Sequence, residues 1–165
     1  QIVTVLAGED AESESGDAIR ESEGGHYKSL IPEVKVFDGA PKLVKKLKEA
    51  GRAVVLASSA KQEEVEHYVE LLGAADRIDG FTSSADVDTT KPEPDLIEAA
   101  LEKAGTREAV MVGDSVWDVE SASRAGIDSI AVLCGGFGSA ELEGAGANVV
   151  VTSIGDVFEE IQSSG

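Results

Sequence analysis

From Val34 onward the chain alternates short apolar runs with amphipathic stretches, the pattern of an α/β domain built on a parallel sheet. Pro41 to Ala50 places Leu43, Val44 and Leu47 on one side and four lysines on the other, and Gly51 closes it as a C-terminal glycine. Ala53-Val54-Val55-Leu56-Ala57 is apolar throughout, as a strand covered on both faces requires. That run ends in Ser58-Ser59; Gln62 to Leu72 then predicts a helix stopped by Gly73, and Phe81-Thr82-Ser83 a short strand. Pro94 to Ala104 predicts a helix whose first turn carries Pro94, Asp95 and Glu98. Ala109–Gly113, Ser129–Leu133 and Val149–Val151 read as strands and Ile154–Ile161 as a closing helix. Residues 1 to about 32 differ in texture: acidic, helix-prone, sparse in apolar positions, and ended by Pro32. The predicted organisation is a helical segment over 1–33 and an α/β core over 34–165.

Charge narrows the partners. Fourteen basic against 32 acidic side chains give a formal net charge of −18 over 165 residues, which argues against nucleic acid or an anionic membrane. A phosphate ligand would need a local device, a metal or a specific lysine, to overcome that field. Lys42, Lys45, Lys46 and Lys48 read as a solvated helix face and not as a nucleic-acid stripe. Cys134 is the only cysteine, so no internal disulfide can form, and a reduced cytoplasm is the expected setting. No apolar run is long enough to span a membrane and no signal peptide is visible. His26 and Tyr27 read as packing or surface features. Gly136-Phe137-Gly138 has Glu141 where a dinucleotide loop needs its third glycine, so it reads as a turn into a short helix.

The chemistry concentrates in Val110-Met111-Val112-Gly113-Asp114-Ser115-Val116-Trp117-Asp118-Val119, a buried strand that stops at a glycine, delivers an aspartate and opens a helix. Side chains four apart share a helix face, so Asp114 and Asp118 are expected to point into one place. That place is the carboxyl end of a strand and the amino end of a helix, where α/β sheets bind ligands and backbone N–H groups favour anions. Two carboxylates there suit a hard cation such as Mg²⁺; the plainer alternative is an aspartate capping a helix start. Ser58, with the N–H of Ser59, could hold one phosphoryl oxygen after the preceding strand. Lys91 lies in Thr90-Lys91-Pro92-Glu93-Pro94-Asp95, whose prolines stiffen the backbone. A serine, a lysine and paired aspartates, each after a different strand, form a phosphoryl-transfer layout.

The order Ala57-Ser58-Ser59, Lys91-Pro92-Glu93-Pro94-Asp95 and Gly113-Asp114-Ser115-Val116-Trp117-Asp118 resembles motifs two, three and four of the haloacid dehalogenase-like hydrolases. The resemblance runs from about Val34 to the C-terminus and includes Arg124-Ala125-Gly126-Ile127 and Cys134-Gly135-Gly136-Phe137-Gly138. It implies a Rossmann-like parallel-sheet core, with residues 1–33 as the tail of a helical cap. It also implies that Ser58 and Ser59 bind the phosphoryl group and that Lys91 neutralises it. Asp114 would ligate Mg²⁺, and Asp118 would support the metal's water shell or orient Lys91. Gly113-Asp114 matches the Mg²⁺-dependent phosphatases of the family, not the Ser-Asn version found in its metal-free dehalogenases.

One departure is severe. The family's nucleophile is the first aspartate of Asp-x-Asp-Gly-Thr at the end of an N-terminal strand, and no such stretch occurs here. In Val36-Phe37-Asp38-Gly39-Ala40 the nucleophile's position is Val36, and Asp38 reads as a turn and helix start. The absent strand would lie centrally, between those ending at Ser58 and Gly113, so the chain is expected to be part of a longer protein and inactive without the remainder. The expected activity is phosphatase action on a small phosphorylated metabolite through an aspartyl-phosphate. A phosphomutase, a haloacid dehalogenase of the same fold, or a non-catalytic binding or regulatory domain are the alternatives.

Overall fold

The computed structural model describes residues 26–27, 29–87 and 91–163. The chain divides into two compact units, with the division between Lys35 and Val36. In the first, His26, Tyr27, Ser29 and Leu30 are helical, and Ile31–Glu33 forms a 3-10 turn with Pro32 in its first positions. The remainder of the segment predicted over 1–33 lies outside the described residues.

Among the described residues the second unit has a 3-10 turn at Ala75–Arg77, five short parallel strands and six α-helices. In chain order these are α1 (Ala40–Glu49), β1 (Val55–Leu56), α2 (Gln62–Leu71), β2 (Gly80–Phe81), α3 (Asp95–Ala104), β3 (Val110–Gly113), α4 (Val116–Ala125), β4 (Asp128–Val132), α5 (Ser139–Gly144), β5 (Val149–Val151) and α6 (Ile154–Ser163). The strands pair as β1-β2 and as β3-β4-β5. Among the described residues no strand joins β1 to β3, the place where the resemblance puts a further central strand. This explains why the five-residue apolar run Ala53–Ala57 is paired only at Val55 and Leu56, opposite Gly80 and Phe81. With one neighbour, the ladder ends where β2 turns away, although the Thr82 amide still reaches the Leu56 carbonyl at 2.9 Å. The predicted strand Phe81–Ser83 is correspondingly displaced to Gly80–Phe81.

Alternation along β4 sorts the core into layers. Ile130 and Val132 join Val151 and Val157, with Leu43, Val110, Val112 and Ile154 packed around them, beneath α1 and α6. Ala131 points the other way, onto Val119 and Leu142 beneath α4 and α5. On that second face Ile97, Leu101 and Ala125 form a further cluster that touches both Ala57 and Met111. One set of side chains from α3 and α4 therefore spans both sheets, and it positions the strand end before Ser58 relative to the one before Asp114. No described helix is long and apolar enough to cross a membrane.

Leu142 is fully buried, 0% exposed, at the junction of α5 with Val119 and Ala131. Leu142→Ala is expected to lower stability by about 2–5 kcal/mol through lost burial and a residual cavity, read as a drop in the urea midpoint with the slope unchanged.

Candidate active site

Asp118 is the hub of the site. It occupies the third position of α4 and is buried, and a buried carboxylate is stable only when its oxygens are satisfied. Oδ1 accepts from Lys91 Nζ at 2.5 Å. Oδ2 accepts from the Ser115 hydroxyl at 2.7 Å and from the Ser115 and Asp114 amides at 3.1 and 3.2 Å. Ser115 is the N-cap, and its hydroxyl also accepts from the Asp118 amide at 3.3 Å, which completes a reciprocal capping box. Burial pushes the Asp118 carboxyl up; the Lys91 charge and hydrogen bond, the Ser115 hydroxyl and the Asp114 amide outweigh it and hold the group below the usual carboxylate range.

This geometry corrects the reasoning that placed Asp114 and Asp118 on one helix face. Ser115 has extended backbone, φ −128° and ψ 158°, so the helix starts after it and Asp114 lies on the strand side of the cap. What links the two residues is the Asp114 amide, which reaches Asp118 because that side chain folds back over the helix start. Gly113 permits that approach: a Cβ there would stand 2.4 Å from the Asp118 Cβ.

Asp114 is differently placed. Its Oδ2 lies 3.6 Å from the Cys134 thiol, and no cation pairs with it among the described residues. Burial, followed by the Asp114 charge and hydrogen bond, raises the Cys134 pKa. The loop after β4 is pressed onto Asp114, since a Cβ on Gly135 would stand 2.3 Å from the Asp114 carbonyl oxygen. Phe137 of that loop meets Trp117 of α4 edge to face, with ring centroids 5.4 Å apart and planes at 88°. Asp114 thus offers a carboxylate without a counter-ion at a strand's carboxyl end. It suits one position of a Mg²⁺ ion, which commonly takes one or two protein carboxylates and fills its shell with water and substrate phosphate. Asp118 has both oxygens engaged, and no cluster of three His, Cys, Asp or Glu side chains forms among the described residues.

Lys91 enters from the segment before α3, where Lys91-Pro92 is a cis peptide. The Ser121 hydroxyl of α4 donates to the Glu93 carbonyl at 2.9 Å, and Arg124 Nη1 donates to the Pro92 carbonyl and to Glu93 Oε1, each at 3.0 Å. Ser58 follows β1, with its hydroxyl accepting from the Ala60 amide at 3.2 Å; Ser59 is exposed. The fully buried Thr82 holds the Ser58 backbone from both sides: its hydroxyl accepts from the Ser58 amide and donates to the Ser58 carbonyl, both at 3.0 Å. No hydrogen bond or ion pair connects Ser58 to Lys91, Asp114 or Asp118 among the described residues. Asp38 is exposed in the turn before α1. Thr82 and Ser121 carry no motif of their own, and Arg124 lies in the Arg124-Ala125-Gly126-Ile127 stretch, to which the sequence assigns no role. Ser115 does carry a motif, since Ser-x-x-Asp ahead of an apolar run is a capping-box pattern.

Parallel strands covered by helices, with Asp114 at a strand's carboxyl end and the Lys91–Asp118 pair beside it, define an α/β core whose polar site lies at the strand ends. The chain belongs to the haloacid dehalogenase-like hydrolases, whose family matches residues 4–132. A PpaX protein of Caldanaerobacter subterraneus subsp. tengcongensis is 34% identical over 100 residues, 59% of this chain and 46% of that protein. Pyrophosphatase PpaX of Halalkalibacterium halodurans is 27% identical over 115 residues, 68% of this chain and 52% of that protein. The chain thus spans about half the length of these two relatives. The crystal structure of a hydrolase from Pseudomonas syringae superposes with a TM-score of 0.81 at 26% identity, over 89% of this chain and 69% of that one.

The depressed Asp118 pKa has a pH signature. The stability the ionised group contributes is present above its unfolded pKa of about 3.9 and is lost as pH falls through that value toward the lower folded one. Asp118→Asn is expected to cost about 1–3 kcal/mol at pH 7. The same change should flatten the decline in stability below about pH 4, measured as urea midpoints of both proteins at pH 7 and pH 3.

Proposed function

We propose that the chain forms the core of a Mg²⁺-dependent phosphohydrolase acting on a small phosphorylated compound. The observation that carries the reading is the contrast between the two aspartates. Asp118 is committed to Lys91 and the helix cap, while Asp114, one cap residue away, keeps a carboxylate with no cation partner among the described residues. One group positions a lysine; the other is left to hold a metal. The name pyrophosphatase carried by the PpaX relative supports a phosphoric anhydride or ester as substrate.

Phosphoryl transfer asks a protein mainly for positioning and charge neutralisation. In this reading Lys91, steered by Asp118, faces the non-bridging oxygens of the transferring group, and Ser58 with the Ser59 amide binds one of them. Asp114 would hold Mg²⁺, which when bound supplies charge neutralisation at the phosphate. The aspartate that accepts the phosphoryl group is none of Asp38, Asp114 or Asp118. The first is exposed in a turn, and the others have the places just described.

The test is turnover of pyrophosphate and of a panel of phosphomonoesters by the full-length protein. Release of phosphate with Mg²⁺, its loss on chelation, and a fall of about a hundredfold or more in Asp114→Asn are expected. Turnover that survives chelator, or haloacid turnover in its place, would overturn the reading.

A further inference from the structure

Beyond the groups that would face a phosphoryl oxygen, one helix carries a row of side chains with a common target. Asp118, Ser121 and Arg124 are spaced by three along α4, and all three grip the segment Lys91-Pro92-Glu93. The grip takes the lysine ammonium at one end, the Glu93 carbonyl in the middle, and the Pro92 carbonyl with the Glu93 carboxylate at the other. We propose that Ser121 and Arg124 are positioning residues that latch the backbone carrying Lys91 onto α4, so that the lysine is presented to substrate already in place. The proposal rests on the role given above to Lys91.

Three features separate the latch from ordinary surface polarity. Ser121 is fully buried, and a hydroxyl inside a helix commonly bonds back to its own helix; here it is spent on another segment. Arg124 uses one nitrogen, Nη1, for both a backbone carbonyl and a carboxylate, while its Nη2 is steadied by Glu120 at 3.7 Å. Its planar guanidinium holds those donors in a fixed direction, whereas a lysine ammonium would present them from a freely rotating point. The third feature is economy of attachment: the carboxylate partner and both backbone tethers stand on α4, so the segment that bears Lys91 is held by the same helix that carries the lysine's counter-charge. Lys91 has a long, flexible side chain, and fixing its base before substrate arrives removes disorder that binding would otherwise have to remove. A free-standing ion pair of a quarter-exposed lysine would be a weaker restraint.

The test compares wild type, Ser121→Ala, Arg124→Met and Arg124→Lys in the full-length protein, each also combined with Lys91→Met. For Ser121→Ala and Arg124→Met, kcat is expected to fall about five- to tenfold with KM changed less than about twofold. Arg124→Lys should recover only part of the loss. In the Lys91→Met background neither substitution should reduce kcat further by more than about twofold, because residues that act through one lysine are not additive without it. Amine labelling followed by mass spectrometry gives a readout independent of turnover. Lys91 should label slowly in wild type and several-fold faster in Arg124→Met, whose half-exposed position does not threaten folding, while Lys42 and Lys45 stay constant. Full additivity in the Lys91→Met background, or unchanged Lys91 labelling in Arg124→Met, would overturn the latch. Absence of phosphatase turnover, with Lys91 labelling slow in wild type and several-fold faster in Arg124→Met, would overturn the proposed function and leave the latch supported.

Discussion

A buried carboxylate has to collect its hydrogen bonds from whatever the fold can bring within reach, and Asp118 collects them from three residues, two adjacent on its own stretch of chain and one on a separate segment. The end of β3 contributes the Asp114 amide, the start of α4 the Ser115 amide and hydroxyl, and the segment before α3 the Lys91 ammonium. Moving any one of the three strands the charge, so the carboxylate enforces their mutual placement. It also sets the local sequence: a glycine at 113 because a Cβ there would collide, a serine at 115 to cap, and a lysine across the gap. In a chain with a formal net charge of −18, a lysine would ordinarily lie among surface acids. Here it is paired with a buried carboxylate, which fixes its position more tightly than a surface ion pair would.

The second constraint is the division of the sheet. Ser58 follows β1 and Asp114 follows β3, and those strands belong to different hydrogen-bonded sheets. Among the described residues one apolar cluster, Ile97, Leu101 and Ala125, packs against both Ala57 and Met111 and bridges the two. Dispersion and burial are less directional than a strand ladder. The Lys91–Asp118–Asp114 side is therefore fixed by short polar contacts, while the Ser58 side is fixed by Thr82 and by packing.

Much of this is legible from residues alone. The runs around β3, β4 and β5 lie within a residue or so of their expected bounds, and β4 is buried along most of its length, while β3, expected as a buried strand, is only half-buried. β1 is less legible, because an apolar run records what covers a strand's faces and says nothing about whether a neighbour pairs with its edge. The relation between Asp114 and Asp118 was obscured by a helical spacing rule applied across a helix boundary that Ser115 sets one residue later. Thr82 and Ser121 were invisible for another reason: a buried hydroxyl that serves a distant backbone carbonyl leaves no periodic trace. Only the fold determines which carbonyl is within reach.

Trp117 is the sole tryptophan of the chain. It stands next to Asp118 in sequence, half exposed, with its ring edge to face with Phe137 in the loop that presses on Asp114. Within this sequence the one indole therefore stands where ligand chemistry is expected. Its emission reports the surroundings of one helix start, with no competing indole to subtract, so a titration at the site can be followed by light without attaching a probe.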